Sequence, residues 1–521
     1  MKSYLLILLV CSYGTVLFGQ KFTIDWGEMD KSKGRLIYLL PGENDDFHAL
    51  RWSGGRLLGH YQVSRHEDLK LTASNSIRLV ADNSMATFEG ARMIGDKFAV
   101  FLSDKKDGQN HFYMQVFDEQ LNEEGDIVHL ASYDLEKGIS KSWFEIKKSQ
   151  NGKFFGVVWE IPGKGDDRDR YGFKTFSTDL NLMNDGEYPL PFDRKYAEIH
   201  SHHISNSGDY FLALTEYKDS DDKKLFKNNV NFKALHIYHI AKDGLQDFEL
   251  DVQDKSVHAM AMTSDSKNIF TVTGIYGEPD ENGVKGVFYQ KIDLNSGVKL
   301  ADGFKEFGKE FIYDGWTDKL KEKAERREER GKWDPQLYNY HMKEAVIQSD
   351  GSIIGTLEQY YVRVVSTLDS RTGQSNYTYY YYYNNIIAYK IGVNGEFDWL
   401  EKIRKYQVST NDGGPFSSYS SFVSDNKLYF IFNDNINNYD EDGKFLNEDR
   451  LQVANYSKKK NVVALVELDL TSGEQIRSPF FDRTAIKALA MPKLFDVNYN
   501  KSELLIYTIY GRNEKFGRLK F

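Results

Sequence analysis

Three stretches of this chain carry residue types at spacings that could do chemistry. NYDEDGKFLNED, Asn438 to Asp449, sets Asn438, Asp440, Asp442 and Gly443 at the first, third, fifth and sixth positions of a calcium-loop pattern. Asp449 falls at the twelfth, where the pattern takes the longer, bidentate Glu, so Asn438, Asp440, Asp442 and Asp449 are the candidate calcium ligands. The competing reading is an acidic Asp-Gly turn joining two strands. AEIHSHHIS, Ala197 to Ser205, holds His200, His202 and His203; on a strand, His200, His202 and Glu198 share one face. If that strand lines a channel, the three are a ligand set for zinc. The third stretch, SNYTYYYYYNNIIAYK (Ser375 to Lys390), is either an aromatic platform for a ligand or a strand covered on both faces.

Covalent chemistry finds no foothold. There is no G-x-S-x-G elbow, no H-E-x-x-H, no P-loop and no dinucleotide glycine signature. Carboxylate pairs for glycoside hydrolysis are not selected by any spacing among the 77 acidic residues. The sequence therefore predicts a non-catalytic protein with no obligatory cofactor, calcium being the one ion in view. Net charge is −10 and no basic face emerges, which excludes nucleic acid as the partner.

The elements that would position these residues are strands. Of 521 residues 14% are aromatic and only 9 are proline, a composition suited to pleated, half-buried surfaces. A polar turn followed by an apolar run recurs as SQNGKFFGVVWE (Ser149), SNSGDYFLALTE (Ser205), TSDSKNIFTVTG (Thr263), QSDGSIIGTLEQ (Gln348) and VSDNKLYFIFND (Val423). Weaker copies begin at Trp52, Met93 and Asn498. Asn, Asp and Gly supply the positive φ that tight hairpin turns require. Downstream of most copies lies a second strand-like run ending in Asp, Asn or Gly, such as FYQKIDLNSGV at Phe288, as if leaving one sheet for the next. A radial repeat of four-stranded sheets accounts for both. The expectation is an all-β chain, a single β-propeller of seven or eight four-stranded blades with eight favoured, and residues 22–40 closing the last blade. The alternative is two β domains divided near Lys305.

The S-x-[D/N]-G turn followed by an apolar strand resembles the turn of TolB-like and related WD40-like propellers, from about Trp52 onward. A Gly-His pair occurs once, at Gly59-His60, and a Trp-Asp pair once, at Trp333-Asp334, so neither recurs with the repeat as in WD40 propellers, and the aspartate box of sialidase propellers does not occur.

The period breaks at residues 305–340, where TDKLKEKAERREERGKWDP, Thr317 to Pro335, reads as a charged helix. Thr317 is its N-cap, Gly331 its stop, and Lys321/Glu325 and Glu322/Arg326 are its supporting pairs. Trp316 and Trp333 flank it; with Tyr379 and Tyr381 of the tyrosine run they are the candidate partner-contact residues.

The first twenty residues, MKSYLLILLVCSYGTVLFGQ, read as a signal peptide over 1–19, leaving 20–521 as the mature body. Cys11, the one cysteine, falls inside it, so no disulfide or thiol site is expected. No later segment reads as a membrane span. Richness in Asn, Lys and Tyr, with the FGQ-type signal end, resembles exported proteins of gliding, type IX-secreting bacteria. That resemblance implies a protein-interaction subunit in the periplasm or at the outer membrane, such as the plug of the type IX translocon. The rival functions are a propeller that binds or processes polysaccharide in its channel and a small-ligand sensor.

Overall fold

The computed structural model describes residues 22–54, 59–135, 143–161, 168–191, 196–218, 232–241, 244–253, 255–265, 269–279, 281–368, 371 and 373–521. The expected signal peptide, with Cys11, lies outside them. Among the described residues the chain forms eight antiparallel sheets in sequence order, each of four or more strands, and one further two-stranded pair, Val80–Ala81 with Ser84–Met85. The first sheet runs from Arg35–Pro41 to Lys70–Ser76 and the second from Thr87–Ile94 to Glu123–Asp134. The third spans Trp143–Lys148 to Leu182–Pro189, the fourth Ala197–Ile204 to Gly244–Leu250, and the fifth Ser256–Ser264 to Val298–Glu306. The sixth runs from Tyr340–Ile347 to Phe397–Ile403, the seventh from Ser420–Ser424 to Gln475–Asp482, and the eighth is built on Glu503–Tyr510 and Asn513–Lys520.

The polar turns of the repeat join the first and second strands in six of these sheets, the second to the seventh, and again in the eighth. The copy at Trp52 does not. Its Ser-Gly-Gly follows the second strand, Asp46–Ser53, and the equivalent turn of the first sheet is Gly42 to Asp45, where Asn and Asp did the same work unnoticed. The second recurring run is the third strand; its terminal turn leads to the fourth strand of the same sheet rather than out of it.

Middle strands are buried on both faces, so they read as unbroken apolar runs; Ile269–Gly277 is buried from Phe270 onward. Each sheet packs on the next through its own apolar cluster. Leu50 and Val100 join the first sheet to the second, and Phe112 and Phe155 the second to the third. The series continues around to Phe22, Tyr429 and Leu504 between the seventh and eighth. Leu39, Phe47, Tyr507 and Phe516 then join the eighth back to the first, which is the packing of a β-propeller. Tyr289 of the fifth sheet packs with Ile353 of the sixth across the division near Lys305.

Residues 22–40 divide between two sheets. Ile24–Trp26 pairs with the last strand, Ile24 opposite Leu519 and Trp26 opposite Gly517, so the two ends of the chain share a sheet. Arg35 to Leu40 belongs instead to the first strand of the first sheet, because Leu36 and Leu39 are needed against Phe47 and Tyr507.

The insertion holds two helices, α1 (Lys309–Tyr313) and α2 (Asp318–Glu328). The expected helix is thus shortened at its C-terminal end: Gly331 takes φ +61°, and Lys332 N–H turns back to donate to the Arg327 carbonyl at 2.9 Å. Glu322 and Arg326 pair at 2.8 Å, and Ala324 is the buried residue of α2.

Candidate functional site

The sequence candidates mostly serve the fold. Asn438 is buried; its amide donates to Asp434 Oδ1 at 2.8 Å and to the Gln452 carbonyl at 3.0 Å, and its oxygen accepts Gln452 N–H at 2.7 Å. Asp440 Oδ1 accepts the backbone N–H groups of Asp442 (3.1 Å) and Lys444 (2.8 Å), the pattern of an Asx turn. Asp449 presents its main-chain oxygen to Arg404 at 2.9 Å. Asn438, Asp440 and Asp449 thus each bond to their own surroundings, in a hydrogen-bonded turn inside the loop that follows Lys427–Asn435.

The histidines are separated too. A register shift between Ile199 and Ser201 breaks the alternation that would have put His200 and His202 on one face. His200 Nε2 meets Thr215 Oγ1 at 2.7 Å, His202 Nδ1 meets Tyr210 OH at 2.8 Å, and His203 Nε2 meets Ser264 Oγ at 3.0 Å. Glu198 accepts the Tyr217 hydroxyl. Burial pushes the rings of His202 and His203 down to about 4, so both are neutral packing groups at pH 7. Among the described residues no group of three or more His, Cys, Asp or Glu is arranged to hold a metal ion.

Trp316 and Trp333 are half-buried, their ring centroids 6.1 Å apart and both against Tyr313. They fasten α1 and the chain after α2 onto the core between the fifth and sixth sheets.

Tyr379 and Tyr381 behave differently. Ile353–Leu368 and Ser375–Ile391 form a hairpin far longer than its neighbours. The flanking strand Tyr340–Ile347 stops opposite Gln359, so from Tyr361 onward the outer edge of the first arm has no described strand beside it. Tyr381 lies opposite Val362 and Tyr379 opposite Val364. On that one face Val364, Leu368, Tyr377 and Tyr379 are 50%, 70%, 58% and 42% exposed. On the other face the rings of Tyr361 and Tyr382 stack at 4.5 Å while Arg363 and Thr367 are exposed, and Gln407–Thr410 pairs along the outer edge of the second arm at Tyr380 to Tyr383. Along residues 360–368 and 375–385 Arg363 is the single charge. Edges this long are ordinarily blunted by charge, proline or a bulge.

At the base of this ribbon Glu358 is fully buried and accepts from Lys405 at 2.8 Å, from Lys343 at 3.2 Å and from Ser418 Oγ at 2.7 Å. Lys343 and Ser418 also reach the wall of a cavity of about 930 Å³ at the centre of the ring. Its lining comes from the third, sixth, seventh and eighth sheets, and it shares Gln150, Asp496 and Tyr499 with a second cavity of about 330 Å³. Gln150 spans the sheets at this level, donating to the Ile347 carbonyl at 3.1 Å and accepting from Thr263 Oγ1 at 2.7 Å. Glu344 and Asp496 face the larger cavity; burial pushes both carboxyls up, Asp496 to about 7. Burial likewise pushes the Lys493 ammonium down to about 8. None of these residues stood out in the sequence. The signal for them was the repeat itself: its turns mark where each first strand ends, and Gln348, Val423 and Asn498 at those ends line the two cavities.

No family model matches the chain, and no curated protein matches it. Solved structures share its general form. The WD40 domain of SCAP from fission yeast is 9% identical with a TM-score of 0.38, covering 98% of this chain and 97% of its own. Sqt1 of Chaetomium thermophilum is 9% identical with a TM-score of 0.39, over 95% and 98%. The alpha-L-arabinanase of Penicillium chrysogenum complexed with arabinobiose is 11% identical with a TM-score of 0.31, over 64% and 94%. Likeness at this level assigns neither a family nor an activity.

Proposed function

We propose that this chain is an exported, non-catalytic β-propeller of eight blades that holds another protein in the cell envelope. The observation that supports this reading is the tyrosine ribbon: an exposed apolar face and a free edge whose one charge is Arg363, extending past the flanking strand of its sheet. An apolar surface of this kind, with aromatic side chains of low conformational entropy, suits a protein contact. The compositional resemblance extends the proposal to an accessory, plug-like subunit of an outer-membrane machine such as the type IX translocon. Affinity purification from native envelopes tests it. The wild type should bring down a stable companion, and a Val364→Lys/Tyr379→Lys variant of unchanged melting temperature should lose it. Recovery of the wild type as a bare monomer would sink the reading.

A second reading has its own support. The central cavity holds two carboxyl groups, Glu344 and Asp496, beside Tyr499, a residue 55% exposed. Carboxylates with an aromatic shelf are the usual means of holding a sugar, so a polysaccharide-binding or polysaccharide-processing propeller is the alternative.

A further inference from the structure

The central cavity is lined by charges of both signs. Two ammonium groups share one carboxylate and a third stands near it. Lys405 and Lys343 both contact Glu358, and Lys493, also within its field, rests 3.8 Å over the Tyr383 ring and donates to the Gly414 carbonyl at 2.8 Å. Lys405 is enclosed, but Lys343 and Lys493 form part of the cavity wall, so the excess positive charge is presented to the space. Glu344 and Asp496 also line it, and among the described residues neither forms an ion pair within 4 Å, the nearest cationic influences being Lys343 on Glu344 and Lys148 and Arg92 on Asp496. Asp496 Oδ1 accepts Val497 N–H at 2.8 Å, which leaves its second oxygen for a ligand. Tyr499 stands on the wall between the two cavities.

Lys343, Glu344 and Lys493 are exposed to this open cavity, so charges of both signs are available to a single molecule lying in it. The bridging molecule must offer an anion to Lys343 and Lys493 and hydroxyl donors to Glu344 and Asp496. We infer that the cavity binds an acidic oligosaccharide, with a uronate carboxylate against Lys343 and Lys493 and ring hydroxyls held by Glu344 and Asp496 beside Tyr499. This rests on the polysaccharide reading above and adds the class of sugar. A volume of about 930 Å³ admits two or three residues. Burial raises both carboxyls, so at neutral pH a fraction of Asp496 is protonated and can donate to a ring oxygen as well as accept from a hydroxyl.

Titration calorimetry on the full chain tests this with three probes: trigalacturonic acid, maltotriose as the neutral trimer, and triglycine as a zwitterionic peptide. Trigalacturonic acid should bind with Kd of about 1 mM or tighter, and maltotriose about tenfold more weakly or worse. Lys493→Gln should weaken trigalacturonate about tenfold and leave maltotriose unchanged; Asp496→Asn should weaken both. If Lys493→Gln melts early, Tyr499→Ala serves in its place and should weaken both sugars. Equal affinity for the two sugars, or an unchanged affinity in Lys493→Gln, overturns the acidic assignment while leaving the polysaccharide reading standing. No sugar bound at about 10 mM removes both. Preference for triglycine also overturns the inference, in favour of a peptide in the channel.

Discussion

Glu358 and Lys405 meet at 2.8 Å with both side chains essentially sealed from solvent, at the point where the long hairpin shifts register between Glu358 and Tyr360. Burial opposes the charge on Glu358, but Lys405 and Lys343 outweigh it and hold the carboxyl below its usual value. Lys405 also donates to the Tyr383 carbonyl at 2.9 Å and to Gln407 Oε1 at 3.1 Å, so the pair fixes both arms of the hairpin and the short strand beside it. Lys405→Met should therefore cost about 3–5 kcal/mol in urea unfolding, because it strands a buried carboxylate. Adding Glu358→Gln should restore part of that loss. A single mutant as stable as the wild type would show that the hairpin is fixed by packing alone.

The ribbon face predicts the opposite pattern. Val364 and Tyr379 are exposed partners across the hairpin, so Val364→Lys/Tyr379→Lys should change stability by about 0.5 kcal/mol or less. The same double variant should abolish recovery of the envelope partner. Stability lost in step with partner recovery would mean that this face is part of the fold.

Ring closure hangs on a short segment. Trp26 pairs opposite Gly517, lies edge-on to Phe481 at 5.6 Å and sits under Lys515 at 5.2 Å. Trp26→Ala should cost about 2–4 kcal/mol, and deleting residues 22–31 should give an earlier, broader thermal transition as the seventh and eighth sheets open. A truncated chain that melts like the wild type would place the closure elsewhere.

Acid should weaken the protein well above the carboxylate range. Burial holds His48, His202, His203 and His258 at about 4, and with Arg51 nearby holds His66 at about 3. Each folded-state value lies below the unfolded value of about 6.5, so the unfolded chain binds more protons. Their contribution is complete above about pH 6.5 and is lost as pH falls toward 4, with a slope of about 1.4 kcal/mol per pH unit for each ring that differs. Asp496, raised by burial, works in the other sense, as does His236: burial lowers its pKa, but Asp247 and Glu216 outweigh it. Burial also lowers His129 and His200 and raises Glu344 and Glu401, so seven lowered rings against four raised groups leave a net loss, and the urea midpoint should drop between pH 7 and pH 5. A midpoint that holds or rises would contradict the burial of these rings.

How much of this was legible in the chain depends on the range of the interaction. The turns of the repeat are local chemistry: Asn, Asp and Gly at positions of positive φ announce themselves wherever the fold places them. Asn498 opens one such turn without help from its neighbours. The start of α2 at Thr317 and its stop near Gly331 were readable for the same reason. The tyrosine run was readable as a strand, since only a pleated element gives Tyr379 and Tyr380 opposite faces.

Local pattern also misled where one motif fits two settings. Ser53-Gly54 resembled the repeat turn but joins the second and third strands. Asn438 and Asp440 had calcium-loop spacing yet spend their oxygens on backbone amides. His200 lost its alternation to a bulge, which no spacing records. Which tyrosines stay exposed, and which carboxyl groups meet at the centre, was decided by tertiary structure alone. Glu344 and Asp496 are brought to one cavity because the ring closes, and Val364 is left bare because its sheet ends before it does. The sequence by itself determined the strands and their turns, whose causes lie within a few residues. Only the closed packing of sheet on sheet decided the channel and the ribbon, because both are made by residues far apart in the chain.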